Sequence, residues 1–447
     1  MARLFGTDGV RGVAGEDLTP GLAMLIGRGA ATVLTKKVAR PRILIGKDTR
    51  ISGDMLEAAL TAGLCSVGAD VELLGVIPTP AVAYLVRKYQ ADAGIVISAS
   101  HNPMEFNGIK IFNGDGYKLP DQVEDEIERL VRDKSQVKLA TGDAVGRVTR
   151  RENAVEDYVD YLAGCLEANL AGLHVAIDCA NGAAAATARL LFPRLGADCH
   201  FIGVEPDGTN INRECGSTHM DRLAKYVVEN GLDCGVAFDG DADRCLAVDE
   251  KGNEIDGDRI IAVLAKHMSA RGELPEDTVV VTVMSNLGFM QYMKENLGLK
   301  IATTAVGDRY VLEEMRAKGY AIGGEQSGHV ILLRHSTTGD GELTAGTLLN
   351  ILAGCGTQMS ELTGVYEKFP QVILNVLATP EQKARYKEDE YVAGFIESQQ
   401  QSLMGEGRVL VRVSGTEPYI RVMVEGRDHE AITQAAKLIV ELIEKRK

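Results

Sequence analysis

The 447-residue chain is long enough for three or four domains of ordinary size. Hydrophobic residues at 45% and charged residues at 25% describe a protein that buries several cores, which excludes general disorder. A formal charge of −15 without any Lys/Arg run excludes nucleic acid and acidic membrane as partners, because both need a concentrated basic surface, so an anionic ligand has to meet local basic groups.

In chain order, the opening MARLFGTDGVRG turns Gly-rich too early for a signal peptide's apolar core, and no apolar run of about 18 residues follows, so the chain reads as cytoplasmic. Arg11 lies among these glycines, as an anion contact or as part of a flexible terminal loop. RILIGKDTR then reads as a strand and DMLEAALTAGLCSVG as a helix, followed by the strand AGIVI, the loop SASHNP and the strand GIKIF. The same progression returns as HVAIDCANG, AAAATARLLFPRLG, CGVAF, the loop DGDADR and the strand CLAVD. It returns again as VVVTVMSN, the helix-like LGFMQYMKENLG, GYAIG, the loop GEQSGH and VILLR.

The repetition extends to single residues. Gly68-Ala69-Asp70, Gly75-Val76 and Pro78 recur at identical spacing as Gly196-Ala197-Asp198, Gly203-Val204 and Pro206, with a looser copy from Gly298 to Ala305-Val306. Strand followed by helix, three times over, predicts three successive similar α/β domains with mixed sheets at 1–154, 155–254 and 255–367. After GVYEKFPQVILNVLA come a charged helical stretch, the strands RVLVRVS and YIRVMVEG, and the helix DHEAITQAAKLIVELIEKRK, which predict a smaller C-terminal α+β domain at 368–447. The eight scattered cysteines contain no C-x-x-C pair and read as reduced, mostly packed thiols.

Each unit carries a different polar loop at one topological position, where α/β sheets place their ligand loops. Asp239, Asp241 and Asp243 alternate with small residues, so three carboxylates can converge on one hard cation, for which Mg²⁺ is the natural choice. Together with Glu250 they mimic an EF-hand, but Arg244 stands where that loop needs glycine and the flanks read as strands. Ser100 alone would be a turn residue; its place in the repeat makes it a candidate to carry phosphate, with the Asp loop and Lys110 as counter-charge and acid/base. His101 is a second acid/base candidate or an oriented structural histidine.

In GEQSGH, Glu325 and Ser327 suit a sugar's vicinal hydroxyls, and His329 is an acid/base or a turn cap. In RVSGTEPYIR, Arg412, Ser414, Gly415, Thr416 and Arg421 form either a phosphate-holding turn or a hairpin with surface arginines.

SASHNP, DGDADR, GEQSGH and RVSGTEPYIR in this order resemble the α-D-phosphohexomutase superfamily along essentially the whole chain. FGTDGVRG, GEQSGH and AVGDRYV are most similar to its branch acting on glucosamine phosphate. The resemblance implies interconversion of the 6- and 1-phosphates of glucosamine through a phosphoserine at Ser100 and a 1,6-bisphosphate, feeding UDP-N-acetylglucosamine and cell-wall precursor synthesis. The alternative is a mutase of the same superfamily for glucose or mannose phosphates. It further implies one Mg²⁺ on Asp239, Asp241, Asp243 and the phosphorylated Ser100, with Arg244 near the same phosphate. Lys110 and His329 match positions of proton transfer, Arg11 a basic residue near the serine, Glu325 and Ser327 the sugar grip. Arg412, Ser414, Thr416 and Arg421 match a cradle for the non-reacting phosphate, and relatives suggest a homodimer.

Where relatives acting on other sugars have a histidine, this chain reads Val306-Gly307-Asp308-Arg309. Asp308 and Arg309 are therefore expected at the sugar, with the Asp308 carboxylate facing a 2-ammonium group. One serine serving both ends of a sugar also requires the intermediate to turn over, for which a hinge near residue 368 is expected.

Overall fold

The computed structural model describes residues 3–6, 8–34, 38–166, 170–403, 406–414 and 418–446. The chain forms two compact units, one of residues 1–284 and 299–365, the other of 285–298 and 366–447. Among the described residues no helix is long and apolar enough to cross a membrane.

The first unit holds three α/β domains built on one strand plan. In the first, Arg42–Lys47 is flanked in parallel by Asp70–Val76 and Ala93–Ile97, and Phe106–Asn113 returns antiparallel beside Ala93–Ile97. Val10–Val13 and Val148–Arg150 extend this sheet to six strands. The second domain repeats the plan with His174–Asp178, Asp198–Ile202, Cys234–Phe238 and Cys245–Asp249, adding the short Glu254–Ile255. The third repeats it with Thr278–Thr282, Lys300–Thr304, Ile322–Gly324 and Val330–Leu332. Each sheet is thus mixed, and in each the SASHNP, DGDADR or GEQSGH loop joins an outer parallel strand to its antiparallel neighbour.

These strands form because runs such as AGIVI, CGVAF and TVVVT are buried at every residue, as sheets covered on both faces require. Helices Ser52–Cys65 and Ala184–Arg194 supply two of the expected crossovers, and Asp308–Lys318 makes the next crossover of the third domain. LGFMQYMKENLG departs from the single helix its composition predicts: only Leu287–Gln291 is α-helical, and Tyr292–Asn296 continues as a π turn. Phe289 and Tyr292, one on each side of the change, meet the ring of Tyr366 at centroid distances of 6.1 and 6.0 Å.

In the second unit three antiparallel strands lie in the order Gln371–Leu377, Tyr419–Gly426, Gly407–Val413. NVLA and its preceding residues therefore add a strand to the two predicted ones. Ile432, Ala435, Ala436, Ile439 and Ile443 form a stripe at helical spacing on His429–Arg446, buried against Val376, Ile420, Val422 and Val424. Five of the eight cysteines are buried and none is disulfide-bonded.

Candidate active site

Ser100 ends the buried run that begins at Ala93. Its backbone is left-handed at φ +52°, an uncommon state for a residue with a Cβ, and the residue is 1% exposed. Oγ donates to an Asp239 carboxylate oxygen and stands 3.3 Å from His101 Nδ1. The return strand Phe106–Asn113 pairs Lys110 with Val96, which sends its side chain to the same side as the serine loop.

Asp239 closes the strand Cys234–Phe238, and the turn at Ala242 (φ +57°) brings Asp239, Asp241 and Asp243 together, with ligand oxygens all within 4.8 Å of one another. Strands flank this loop, as the rejection of an EF-hand requires. Lys110 Nζ, almost fully buried, lies 2.7 Å from Asp241, 3.1 Å from Asp243 and 3.0 Å from Asp8. Thr79 Oγ1 donates to Asp241 at 2.6 Å.

Burial opposes charge on every member of this cluster, so the distribution of partners decides which groups remain ionised. Burial alone would lower the Lys110 ammonium, but Asp241, Asp243 and Asp8 outweigh it and hold it well above the ordinary lysine value. Burial, reinforced by the negative charges of Asp243 and Asp241, raises Asp239 well above the ordinary carboxylate range. Asp243 moves the other way, because Lys110 offsets its burial. Among the described residues, the buried oxygens Asp241 Oδ1 and Asp243 Oδ1 accept no hydrogen bond. Two orphaned carboxylate oxygens in a three-carboxylate cluster fit a small hard cation, which is what would satisfy them.

Arg244 donates its backbone N–H to Asp239, and its guanidinium lies 3.9 Å from Asp243. Arg11 is ion-paired with Asp8. His329 is 3% exposed; its Nε2 accepts the Gly339 N–H at 3.2 Å, which assigns the neutral ring's proton to Nδ1. Glu325 accepts the Gly307 N–H from a neighbouring loop at 3.1 Å, and Ser327 is exposed on the tight turn closed by the Gly328 N–H on the Glu325 carbonyl. Asp308 is 3.5 Å from His329 and ion-paired with Lys118, which also binds Asp8. Arg309 is ion-paired with Asp121, at the start of the helix Asp121–Arg132, and with Glu313.

The first unit therefore gathers Ser100, His101, Lys110, Arg11, Arg244, His329 and the three aspartates through direct or shared contacts. Asp8, Lys118 and Thr79 belong to the same network and were missed from the sequence. Asp8 lay within the GTDGVRG segment; nothing local distinguishes Lys118 or Thr79. In the second unit Arg412 and Arg421 are directly opposite in neighbouring strands, an arrangement of like charges that an anion would relieve. Ser414 donates its N–H to Tyr419 and accepts from Lys383 at 2.9 Å. Gly415 and Thr416 lie outside the described residues.

His101 permits a test of the site's electrostatics in cation-free, unphosphorylated protein. Burial, then the charges of Arg244 and Arg11, lower it from 6.5 to about 4. Below pH 6.5 the unfolded chain binds a proton that the folded chain refuses, so this contribution to stability is complete above 6.5 and lost as pH falls toward about 4. Urea unfolding at pH 7 and pH 5 should show a loss that His101→Asn lacks; equal losses in both proteins would refute the shift.

Comparison with known proteins adds an independent line. Residues 2–138, 156–252 and 256–369 match the α/β/α domains I, II and III of the phosphoglucomutase/phosphomannomutase family, and 374–442 match its C-terminal domain. The chain is 54% identical over 446 residues to the phosphoglucosamine mutase of Thermoanaerobacter sp. (strain X514), and 52% identical over 447 residues to that of Clostridium tetani, covering 100% of each chain in both cases. Among solved structures it resembles a phosphoglucomutase/phosphomannomutase family protein from Burkholderia thailandensis, with TM-score 0.83 and 23% identity, over 99% of this chain and 98% of that one. It also resembles the Aspergillus fumigatus N-acetylphosphoglucosamine mutase in complex with GlcNAc-6P and magnesium, with TM-score 0.70 and 17% identity, over 99% of this chain and 95% of that one.

Proposed function

Because the chain belongs to the phosphoglucomutase/phosphomannomutase family, and its full-length relatives at over 50% identity are phosphoglucosamine mutases, we propose that it interconverts glucosamine 6-phosphate and glucosamine 1-phosphate, with Ser100 carrying the phosphoryl group. The observation that carries the reading is the Ser100 hydroxyl held on Asp239 at the edge of a buried acidic triad, with Lys110 beside it.

Ser100 donates its phosphoryl group to the free hydroxyl of the sugar monophosphate, giving a 1,6-bisphosphate, and after that intermediate turns around Ser100 accepts the other phosphate. Asp239, Asp241, Asp243 and the phosphorylated Ser100 would hold Mg²⁺, which would supply positive charge against the phosphoryl oxygens. Arg11 and Arg244 add positive charge on the same group, as in-line transfer requires. Lys110 and His329 exchange protons with the sugar hydroxyl: Lys110 is charged as it stands, and His329 has its Nδ1 without a hydrogen-bond partner among the described residues. His101, neutral at ordinary pH, orients or relays at Ser100. Glu325 and Ser327 bind sugar hydroxyls, and Arg412, Ser414, Gly415, Thr416 and Arg421 hold the phosphate that is not reacting.

Asp308 presents its carboxylate to the sugar's 2-ammonium group, a role for which its present pairing with the Lys118 ammonium is a precedent. Asp308→Asn should lower the preference for glucosamine over glucose 6-phosphate about tenfold, corresponding to one lost charge pair. An unchanged ratio would remove Asp308 from specificity. Relative turnover on glucosamine, glucose and mannose 6-phosphates tests the whole reading, because a strong preference for either neutral sugar would make the protein a phosphoglucomutase or phosphomannomutase instead.

A further inference from the structure

Asp48 and Arg50 follow the strand Arg42–Lys47 and form an ion pair at 2.9 Å with both side chains 0% exposed. Removing two charges from water costs several kcal/mol per ion in general, so such a pair has to satisfy nearly all its hydrogen-bonding capacity. Here it does so on the serine loop. Arg50 Nε donates to Asp48, Nη1 to the Pro103 carbonyl, and Nη2 to the carbonyls of Ser100 at 2.9 Å and Asn102 at 2.8 Å. Asp48 accepts from Ser98 Oγ at 2.6 Å, and the same Oγ accepts the Ser100 N–H at 2.9 Å. Asn212 of the second domain donates to the Ser100 and Asn102 carbonyls as well, at 2.8 and 3.1 Å. Both backbone polar groups of Ser100 are therefore gripped by this pair, one directly and one through Ser98, while neither partner touches Oγ.

We propose that Arg50, anchored by Asp48 and acting with Ser98, is a positioning residue that holds the Ser100 backbone in its left-handed conformation, so that the hydroxyl is aimed at the acidic triad throughout both phosphoryl transfers. The inference rests on the proposed phosphoryl-carrying role of Ser100. A left-handed non-glycine residue persists only where its surroundings over-determine it, and three donor groups on the carbonyls of Ser100, Asn102 and Pro103, with Ser98 Oγ accepting the Ser100 N–H, supply that constraint. An Arg is needed because a single planar fork reaches three carbonyls at once, which a lysine ammonium on a flexible stem does not reproduce.

The test compares wild type, Arg50→Met, Arg50→Lys and Ser98→Ala in their phosphorylated forms, each assayed for kcat per mole of phosphoserine and for KM with glucosamine 6-phosphate and examined by ³¹P NMR. Ser100→Ala, carried through the same phosphorylation, is the spectral control. A wild-type ³¹P line absent from Ser100→Ala establishes the carrier; no such line in wild type sinks that premise, separately from the positioning role. With the premise standing, Arg50→Met should lose roughly 100-fold in kcat at nearly unchanged KM, the scale expected when a reacting group is misplaced by about an ångström. Arg50→Lys should recover little of it, and the phosphoserine line should shift or split. Ser98→Ala deletes only one oxygen and keeps the charge pair, so it remains informative should the Arg50 variants misfold; about a tenfold loss in kcat is expected, one hydrogen bond's worth. A merely structural pair would lower thermal stability yet leave kcat per phosphoserine and the ³¹P line as in wild type, and that result in Ser98→Ala and in any folded Arg50 variant overturns the proposal.

Discussion

Ser100→Ala lowers mutase turnover by roughly 10⁴-fold or more and leaves the fold intact, because the substitution deletes the one oxygen that forms and breaks the bond to phosphorus. The backbone conformation at φ +52° is no harder for alanine than for serine, and the Arg50 and Ser98 contacts bind main-chain atoms that the variant keeps. The hydrogen bonds lost are the one to Asp239, a carboxyl whose charge is already disfavoured by burial and by its acidic neighbours, and the long one at 3.3 Å to His101 Nδ1. A stability change of about 1 kcal/mol is therefore expected, far too small to explain the loss of activity. Intact-mass measurement should find one phosphate on wild type, mapping to Ser100, and none on the variant. Undiminished conversion of glucosamine 6-phosphate by the alanine protein would take Ser100 out of the mechanism.

Asp241→Asn has the second largest effect, and its two consequences have different signs. Turnover should fall by roughly 10³-fold, since a carboxylate with an orphaned oxygen in the triad is replaced by a neutral amide that binds a hard cation poorly. Stability without cation should change little or rise, because three carboxylates within 4.8 Å repel one another and the variant removes one charge while Asp243 and Asp8 still balance Lys110. Magnesium chloride should raise the melting temperature of wild type by mass action and leave that of Asp241→Asn unmoved. A cation-dependent shift of equal size in both proteins would show that Asp241 is not a ligand.

The parts legible in the sequence were those written locally and repeated. The three loops were found because strand, helix and strand recur in register, and Lys110 could be nominated with Ser100 because it lies on the strand that leaves the serine loop and returns antiparallel beside Ala93–Ile97. What stayed hidden depends on partners far along the chain. Nothing near Arg309 in the sequence points to its partner Asp121, 188 residues away, and Lys118 has no local mark that pairs it with Asp8 and Asp308. LGFMQYMKENLG has the composition of a helix, and nothing in that composition marks its break into α and π turns or its contact with the distant Tyr366. Arg50 was visible as a residue, but a guanidinium that grips carbonyls leaves no sequence pattern.

The chain crosses between the two compact units three times, after Met284, after Gly298 and after Val365. A fragment cut out at residue 366 would thus be an incomplete folding unit despite containing every strand of its sheet. It would lack the Leu287 N–H that binds Glu425 at 2.9 Å, the Ser285 carbonyl that binds Arg408, and Asn286, which accepts the Phe369 N–H and donates to the Phe369 carbonyl. Glu425 is 0% exposed, so the truncated piece would carry a buried carboxylate stripped of a donor, together with newly bare aromatic surface at Tyr366. The residues 285–298 act as a splint contributed by the middle of the chain, and nature's autonomous module here is a discontinuous one.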